Sequence, residues 1–161
     1  MPAFMTDDLQ RLLNTELPIT LYLGLRVAVA DPEQVILRAP LAPNRNHRGT
    51  AFAGSLNALA TLAGWSWLTL FLQQHHLAGQ VVLQDSSITY ARPVATDFAA
   101  TCPAPDAATI TRFLTAFHRS GRGRLRLTVE LTDDAGVAGS FTGRYVAERP
   151  KEHPGPTPGA P

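Results

Sequence analysis

The chain has 161 residues, 45% of them hydrophobic, and its 14 Lys and Arg residues nearly balance its 13 Asp and Glu residues. This length suits one domain with a substantial core, and the near-neutral charge argues against a general affinity for nucleic acid. A single cysteine, Cys102, rules out an intrachain disulfide and a cysteine-based zinc site.

The first forty residues predict a helix followed by a β-hairpin. Thr6 can cap the helix. Its apolar residues fall on one face: Leu9, Leu12, Leu13 and Leu17. Strands are predicted over 23–30 and 34–39, joined by a turn at 31–33. The acidic start has neither a cationic nor an apolar signal-like stretch, so we expect a cytoplasmic protein.

The next stretch is the most apolar in the chain. Its apolar side chains recur every three or four residues: Phe52, Leu56, Leu59, Ala63, Trp67, Leu70 and Phe71. This spacing predicts a helix that ends near Gly79, with His75 and His76 as surface residues of its last turn. A membrane span is the alternative, but polar residues interrupt the run and no basic cluster flanks it. We therefore predict a buried core helix.

The remaining chain predicts three kinds of element. They are strands over 81–90 and 97–102, a short helix capped by Asp106 and followed by Gly121, and a hairpin with strands over 122–132 and 137–147. Cys102 reads as a small apolar filler of its strand, with a nucleophilic thiol as the alternative. The Pro- and Gly-rich residues 149–161 are predicted to be a disordered tail after a single domain, 1–148.

These elements predict an α+β fold in which an antiparallel sheet of about six strands wraps around one long central helix. Such a sheet leaves an edge strand uncovered. Pairing with a second copy would cover that edge, so we expect a homodimer.

Two motifs carry a resemblance to a known family. Residues 46–56 read NHRGTAFAGSL and 58–65 read ALATLAGW, which resembles the signature of hotdog-fold thioesterases, closest to the YiiD C-terminal type. Residues 85–94, DSSITYARPV, are similar to the third strand of that group. The resemblance implies a hotdog domain that hydrolyses acyl thioesters of coenzyme A or a carrier protein, without metal or cofactor, at a dimer interface. Dimers of such dimers are also compatible with it.

One departure from related enzymes bears on the chemistry. In hotdog thioesterases similar to phenylacetyl-CoA thioesterase, a carboxylate lies about two turns after the start of the helix. Thr61 occupies that position in this chain. The resemblance therefore assigns no catalytic carboxylate at this position of the chain.

Thioester hydrolysis requires a polarised carbonyl and an activated water. The start of the core helix offers free N–H groups for the carbonyl, and Gly54 lets a substrate approach them closely. Alternation places Asp85 on the same face as Val81 and Leu83, where burial against the helix would suit it as the base. The remaining catalytic candidates, for orienting water or hydrogen bonding, are Asn46, His47, Ser55 and Thr61.

The predicted substrate-binding residues flank these groups. They are Phe52, Ala53, Ser86, Ser87, Arg92 and Arg122. Arg119, Arg122, Arg124 and Arg126 either hold coenzyme A phosphates or form a solvated sheet face. The leading function is hydrolysis of acyl-CoA by activated water. The alternatives are an acyl-CoA-binding regulatory module without turnover and a hydratase.

Overall fold

The computed structural model of the protein describes residues 6–150. Its elements follow in this order: α1 (Thr6–Glu16), α2 (Ile19–Leu23), β1 (Arg26–Ala30), β2 (Gln34–Ala39), α3 (Ala53–Gln74), β3 (Gln80–Tyr90), β4 (Phe98–Pro103), α4 (Ala107–Ser120), β5 (Arg122–Asp133) and β6 (Gly136–Glu148). A 3-10 turn at Ala42–Asn44 precedes the loop that leads into α3.

The six strands form one antiparallel sheet in the order β1-β2-β4-β5-β6-β3. α3 lies against the inner face of this sheet and contacts five of its strands. This arrangement confirms the predicted hotdog architecture. Strand β5 shows why the prediction succeeded, because its residues alternate between exposed and buried along almost its whole length.

Most of α3 is buried, as its composition requires. It is also long and apolar enough to cross a bilayer, but 67% of its most apolar window is buried inside this fold. That burial is the behaviour of a core helix.

Two predicted boundaries are wrong. Leu23 was expected in the first strand, but it ends α2, which closes at Gly24 in the left-handed conformation. The central helix ends at Gln74 rather than near Gly79, and His76 takes the positive φ of 54° that terminates it. Both histidines therefore follow the last turn. By contrast, the predicted cap at Asp106 and the left-handed Gly121 of α4 are confirmed.

The outer edge of β1 is covered by α1 through one side chain. The Gln10 carboxamide accepts a hydrogen bond from Val27 N–H at 2.8 Å and donates to Leu25 O at 3.1 Å, as a neighbouring strand would. Asn14 Oδ1 accepts from Gln10 and from the hydroxyl of Thr20. At the other end of the sheet β3 pairs with β6 on one side and has no strand on its outer side among residues 6–150.

The predicted tail lies outside the described residues, except for its first two positions. Arg149 donates its N–H to Gly121 O at 2.8 Å, and its guanidinium lies 5.4 Å from the centre of the Phe117 ring. This residue therefore packs against the end of α4.

Candidate active site

The first turn of α3 presents two free backbone donors. Phe52 is the N-cap residue, and its carbonyl accepts from Ser55 N–H and Leu56 N–H at 3.0 and 3.2 Å. The N–H groups of Ala53 and Gly54 have no acceptor within residues 6–150, and both residues are exposed. The N-terminus of a helix is electropositive, so these two donors can bind a developing negative charge.

Phe52 lies directly over this turn. A side-chain carbon added at Gly54 would come within 2.3 Å of the Phe52 ring, so glycine is what allows the ring to fold back there. The ring is nevertheless 55% exposed. It therefore forms an apolar surface beside the two free donors.

The loop before α3 is built by two asparagines. Buried Asn44 donates hydrogen bonds from its side-chain N–H groups to Leu23 O and Pro40 O, at 2.8 and 2.7 Å. Its backbone carbonyl accepts from Phe52 N–H at 2.7 Å. Asn46 donates to Thr50 Oγ1 at 2.9 Å and accepts from Arg48 N–H and Thr50 N–H. The Asn46 side chain is thus committed to the loop, and this geometry does not support the predicted role in orienting water.

His47 lies at the tip of this loop. Arg45 and Ala51 pair as an isolated bridge, which makes 45–51 a tight hairpin with His47 exposed near its turn. Ser55, in contrast, is buried, and its N–H belongs to the capped first turn. Its position fits the predicted hydrogen-bonding role at the start of the helix.

One row of α3 is less buried than the rest of the helix. Asn57, Thr61 and Trp65 are spaced by four residues, so they share a face, and all three are half-buried. Trp65 Nε1 donates to Val81 O at 3.1 Å, which places this row beside β3. Asn57 Oδ1 is buried and has no hydrogen-bond partner. A buried acceptor without a donor costs about 1–3 kcal/mol, and the hydroxyls of Ser66 and Thr69 on the same helix are unpaired in the same way.

Thr61 is fixed by its backbone. Its carbonyl accepts a 2.8 Å hydrogen bond from the hydroxyl of Tyr145, which is fully buried. Burial raises the pKa of Tyr145, so the hydroxyl stays a donor. The Thr61 side chain therefore stands on a rigid turn, one turn beyond Asn57.

A β-bulge in β3 changes which residues face the helix. The register between β3 and β6 shifts between Leu83 and Asp85. Beyond the bulge, Ser86 pairs with Gly143 and Tyr90 pairs with Gly139. Both glycines are buried positions on the inner face of β6, so Ser86 and Tyr90 lie on the inner face of β3. The Tyr90 hydroxyl donates to Ala53 O at 3.0 Å. This bond ties the inner face of β3 to the first turn of α3, and burial raises the pKa of Tyr90.

The predicted burial of Asp85 against the helix is wrong because the bulge reverses the alternation. Asp85 pairs in register with Arg144 on the outer face, half-exposed, and its carboxylate lies 3.3 Å from the Arg144 guanidinium. Ser87 lies on the same outer face, opposite Thr142. Neither side chain joins the row on α3 in this subunit.

Arg92 was predicted to bind substrate, but its donors are used within the fold. It pairs with both carboxylate oxygens of Asp133 and donates to Gly136 O and Val137 O. The Asp133 side chain is only 3% exposed. Hydrogen bonding from Arg92 lowers the pKa of Asp133 to about 2. This ion pair clamps the β5-β6 hairpin.

Two further sequence candidates are also accounted for within the fold. Arg122 pairs with Glu148 at 3.0 Å, so its charge is already neutralised. Cys102 is fully buried, and burial raises the pKa of its thiol to about 12. Its packing fits an inert apolar filler, because a nucleophilic cysteine needs a thiolate.

Sequence reasoning missed Asn57 and Tyr90. Asn57 was read only as an interruption of an apolar helix, although its position four residues before Thr61 was a signal that the two share a face. Tyr90 closes β3, and only the bulge turns it inward. The candidate site therefore combines the free N–H groups at 53–54, the row from Asn57 to Thr61, and Tyr90, whose hydroxyl holds the first turn of α3.

Comparisons with known proteins agree with this architecture. The profile of the family described as "Putative thioesterase (yiiD_Cterm)" matches residues 6–149. A protein of unknown function from Chlorobaculum tepidum TLS is similar, with 30% identity over 90% of this chain and 94% of that chain and a TM-score of 0.86. A Shewanella oneidensis protein described as a "putative thioesterase" has 27% identity over 90% of this chain and 97% of that chain, with a TM-score of 0.76. A Pseudomonas aeruginosa protein described as of unknown function and a "probable thioesterase" has 26% identity over 89% of this chain and 95% of that chain, also with a TM-score of 0.76.

Proposed function

The chain belongs to the YiiD C-terminal thioesterase family of hotdog proteins, and from that premise we propose that it hydrolyses the thioester bond of acyl-CoA. The observation that carries the proposal is the half-buried row of polar groups on a helix otherwise made of core. Two free N–H groups, an unpaired amide oxygen and a hydroxyl succeed one another along that row, from Ala53 to Thr61.

The thioester carbonyl is proposed to bind at the N-terminus of α3. Its oxygen accepts from the N–H groups of Ala53 and Gly54, which stabilise the negative charge of the tetrahedral intermediate. The acyl chain lies against the exposed ring of Phe52. Tyr90 holds the carbonyl of Ala53 and so fixes the orientation of this turn.

The attacking water is proposed to donate a hydrogen bond to Asn57 Oδ1, with Thr61 as its second contact. Attack forms the carbon–oxygen bond, the carbon–sulfur bond then breaks, and the water's proton passes by way of a base to the leaving thiolate. Neither Asn57 nor Thr61 can take that proton. His47 is the imidazole nearest in sequence to the first turn of α3 among residues 6–150, and we propose it for this role.

A homodimer paired through β3 is part of the proposal. The open edge of β3 carries exposed apolar side chains, with Val82 56% and Tyr90 43% exposed. A second copy would cover them and enclose the row on α3, removing water that would weaken its hydrogen bonds. A cytoplasmic location completes the proposal.

A specific observation supports a second candidate function. No carboxylate lies on the row of α3, and the described carboxylate nearest to the site along β3, Asp85, faces outward. A protein that holds acyl-CoA without hydrolysing it would need the donors of the first turn and no base. This alternative is an acyl-CoA-binding module.

Thiol release from acyl-CoAs ranging from acetyl to palmitoyl, with aromatic acyl groups included, tests the hydrolase. Asn57→Ala should lower kcat by about 100-fold, since it removes the group that holds water. Gln73→Ala, an amide removed from the exposed end of the same helix, is the matched control and should have no effect. Sedimentation tests the dimer. Absence of thiol release from a protein that binds acyl-CoA would replace the hydrolase by the binding module.

A further inference from the structure

A recess of 760 Å³ lies on the outer face of the sheet, over β1, β2, β4 and β5. Four of its lining residues are in register across these four strands: Arg26, Arg38, Ala99 and Thr132. The residue before each of them is buried, so this row faces away from the core. β6 separates the recess from β3, so the recess stays open in the proposed dimer.

One side of the recess presents hydrogen-bond donors that the fold does not use. Arg26 and Arg38 are directly opposite each other on β1 and β2, and both are exposed. Within residues 6–150, no carboxylate lies within 4 Å of either guanidinium. Asn14 of α1 also lines this side; its Oδ1 accepts from Gln10 and Thr20, whereas its side-chain N–H groups have no acceptor among the described residues. Because like charges opposite each other repel, this side favours a bound anion.

The other side of the recess presents carboxylates. Asp134 follows the end of β5, and Asp97 precedes β4. In the part of the chain that the structure describes, neither has a cationic side chain within 4 Å. Asp97 Oδ1 accepts from Leu41 N–H at 2.8 Å, which orients the carboxylate and leaves its Oδ2 for another donor. Asp133 also lines the recess, but Arg92 already neutralises it. This side therefore favours a bound cation.

The two sides do not neutralise each other in the free protein. Arg38 and Thr132 lie two strands apart, which is about 10 Å at the usual strand spacing, and Asp134 is two residues beyond Thr132. An extended peptide covers about 3.3–3.6 Å per residue, so three residues span the same distance. A tripeptide carries a carboxylate at one end and an ammonium group at the other, which is the arrangement that these charges complement.

We propose that this recess binds a short extended peptide by its two charged ends. The α-carboxylate pairs with Arg26 and Arg38, since guanidinium groups bind carboxylates through charge-assisted hydrogen bonds. The α-ammonium group pairs with Asp97 and Asp134. Ala99 has the smallest side chain of the row between them, which leaves space for the peptide backbone. None of these residues belongs to the candidate active site, so the inference is independent of thioester hydrolysis.

The mixed charge of the recess argues against other ligands of similar size. A phosphate or a dicarboxylate would meet Asp97 and Asp134, and a polyamine would meet the two arginines. An apolar molecule would desolvate charges of both signs without pairing them. A ligand that carries one charge of each sign satisfies both sides of the recess.

Titration calorimetry with trialanine tests the binding directly. Arg26→Gln, Arg38→Gln and Asp134→Asn should each weaken binding by about fivefold, as expected for one charge pair at a partly exposed site. Ala99→Leu changes no charge but narrows the recess, so it should also weaken binding. The matched controls are Arg126→Gln and Glu130→Gln, which remove one charge of each sign from exposed positions of β5 outside this recess and should leave binding unchanged.

Blocked peptides test each end of the ligand separately. N-acetyl-trialanine lacks the ammonium group and trialanine amide lacks the carboxylate, and each should bind about fivefold more weakly than trialanine. The proposal is overturned if either blocked peptide binds as tightly as trialanine, or if the two controls weaken binding as much as the recess variants. Absence of binding heat at about 10 mM trialanine, which would occupy most sites at a millimolar Kd, also overturns it.

Discussion

The contact between Gly64 and Tyr145 decides how closely α3 can approach the sheet. A side-chain carbon at Gly64 would lie 2.4 Å from the Tyr145 hydroxyl and 2.6 Å from the ring carbon that bears it, about 1 Å short of ordinary contact. Gly64→Ala would gain about 1 kcal/mol of helix propensity. It would also overpack the core and break the hydrogen bond from Tyr145 to Thr61 O, at about 1–3 kcal/mol for each effect. The sterics should prevail, with a net destabilisation of about 3 kcal/mol.

Urea denaturation measures this value directly, and the thermal midpoint should fall by about 6–12 °C. Tyr145→Phe provides the second arm of a double-mutant cycle, because it removes the nearest clashing atom and the hydrogen bond together. Gly64→Ala should therefore cost about 2 kcal/mol less in the phenylalanine background, where no hydrogen bond is left to break. A Gly64→Ala protein as stable as the wild type, or additivity of the two changes, would refute this account of the contact.

Four further outcomes are expected. Asn57→Ala should leave the free energy of unfolding within about 1 kcal/mol of the wild type, because the lost acceptor is unpaired in the free protein, while thioesterase activity falls about 100-fold. Denaturation measures the first quantity and thiol release the second. Asp85→Asn should keep kcat within about twofold, because its carboxylate faces outward beside Arg144; a large fall in kcat in the thiol-release assay would restore Asp85 as the base. Hydrogen bonding from Arg92 lowers the pKa of Asp133 to about 2, so the ionised carboxylate stabilises the fold fully above about pH 4 and this stabilisation is lost as the pH falls towards 2. The denaturation midpoint of Asp133→Asn, measured between about pH 2 and pH 4, should therefore change less with pH than that of the wild type. Cys102 should react with a chromogenic thiol reagent only after unfolding, so native protein should give no background in the thiol-release assay.

The fold could be predicted where the environment of each residue is set by local periodicity. The alternation of β5 and the apolar spacing of α3 are both consequences of packing against one core, and both predictions are confirmed. The failures are local. α2 has five residues, too few for a helical period, so Leu23 was read as part of a strand.

The candidate site was predicted less completely, and the β3 bulge explains much of the difference. A single extra residue near Gln84 reverses the side-chain alternation, which sends Asp85 outward and turns Ser86 and Tyr90 inward. No composition signal marks that bulge. The role of Asn57 depends on which partners its oxygen lacks, a property that exists only once the helix is packed.

The bond pattern of Gln10 sets how far the sheet can grow. Its carboxamide bonds Leu25 O and Val27 N–H at the start of the outer edge of β1, whereas no side chain or strand of residues 6–150 pairs along the outer side of β3 in the sheet. If two copies pair through β3 about a twofold axis, as proposed, each β3 edge is covered by the other copy. No third copy can then pair with that edge. In the proposed dimer, Gln10 on α1 would thus help to keep the pair closed rather than open to a third copy.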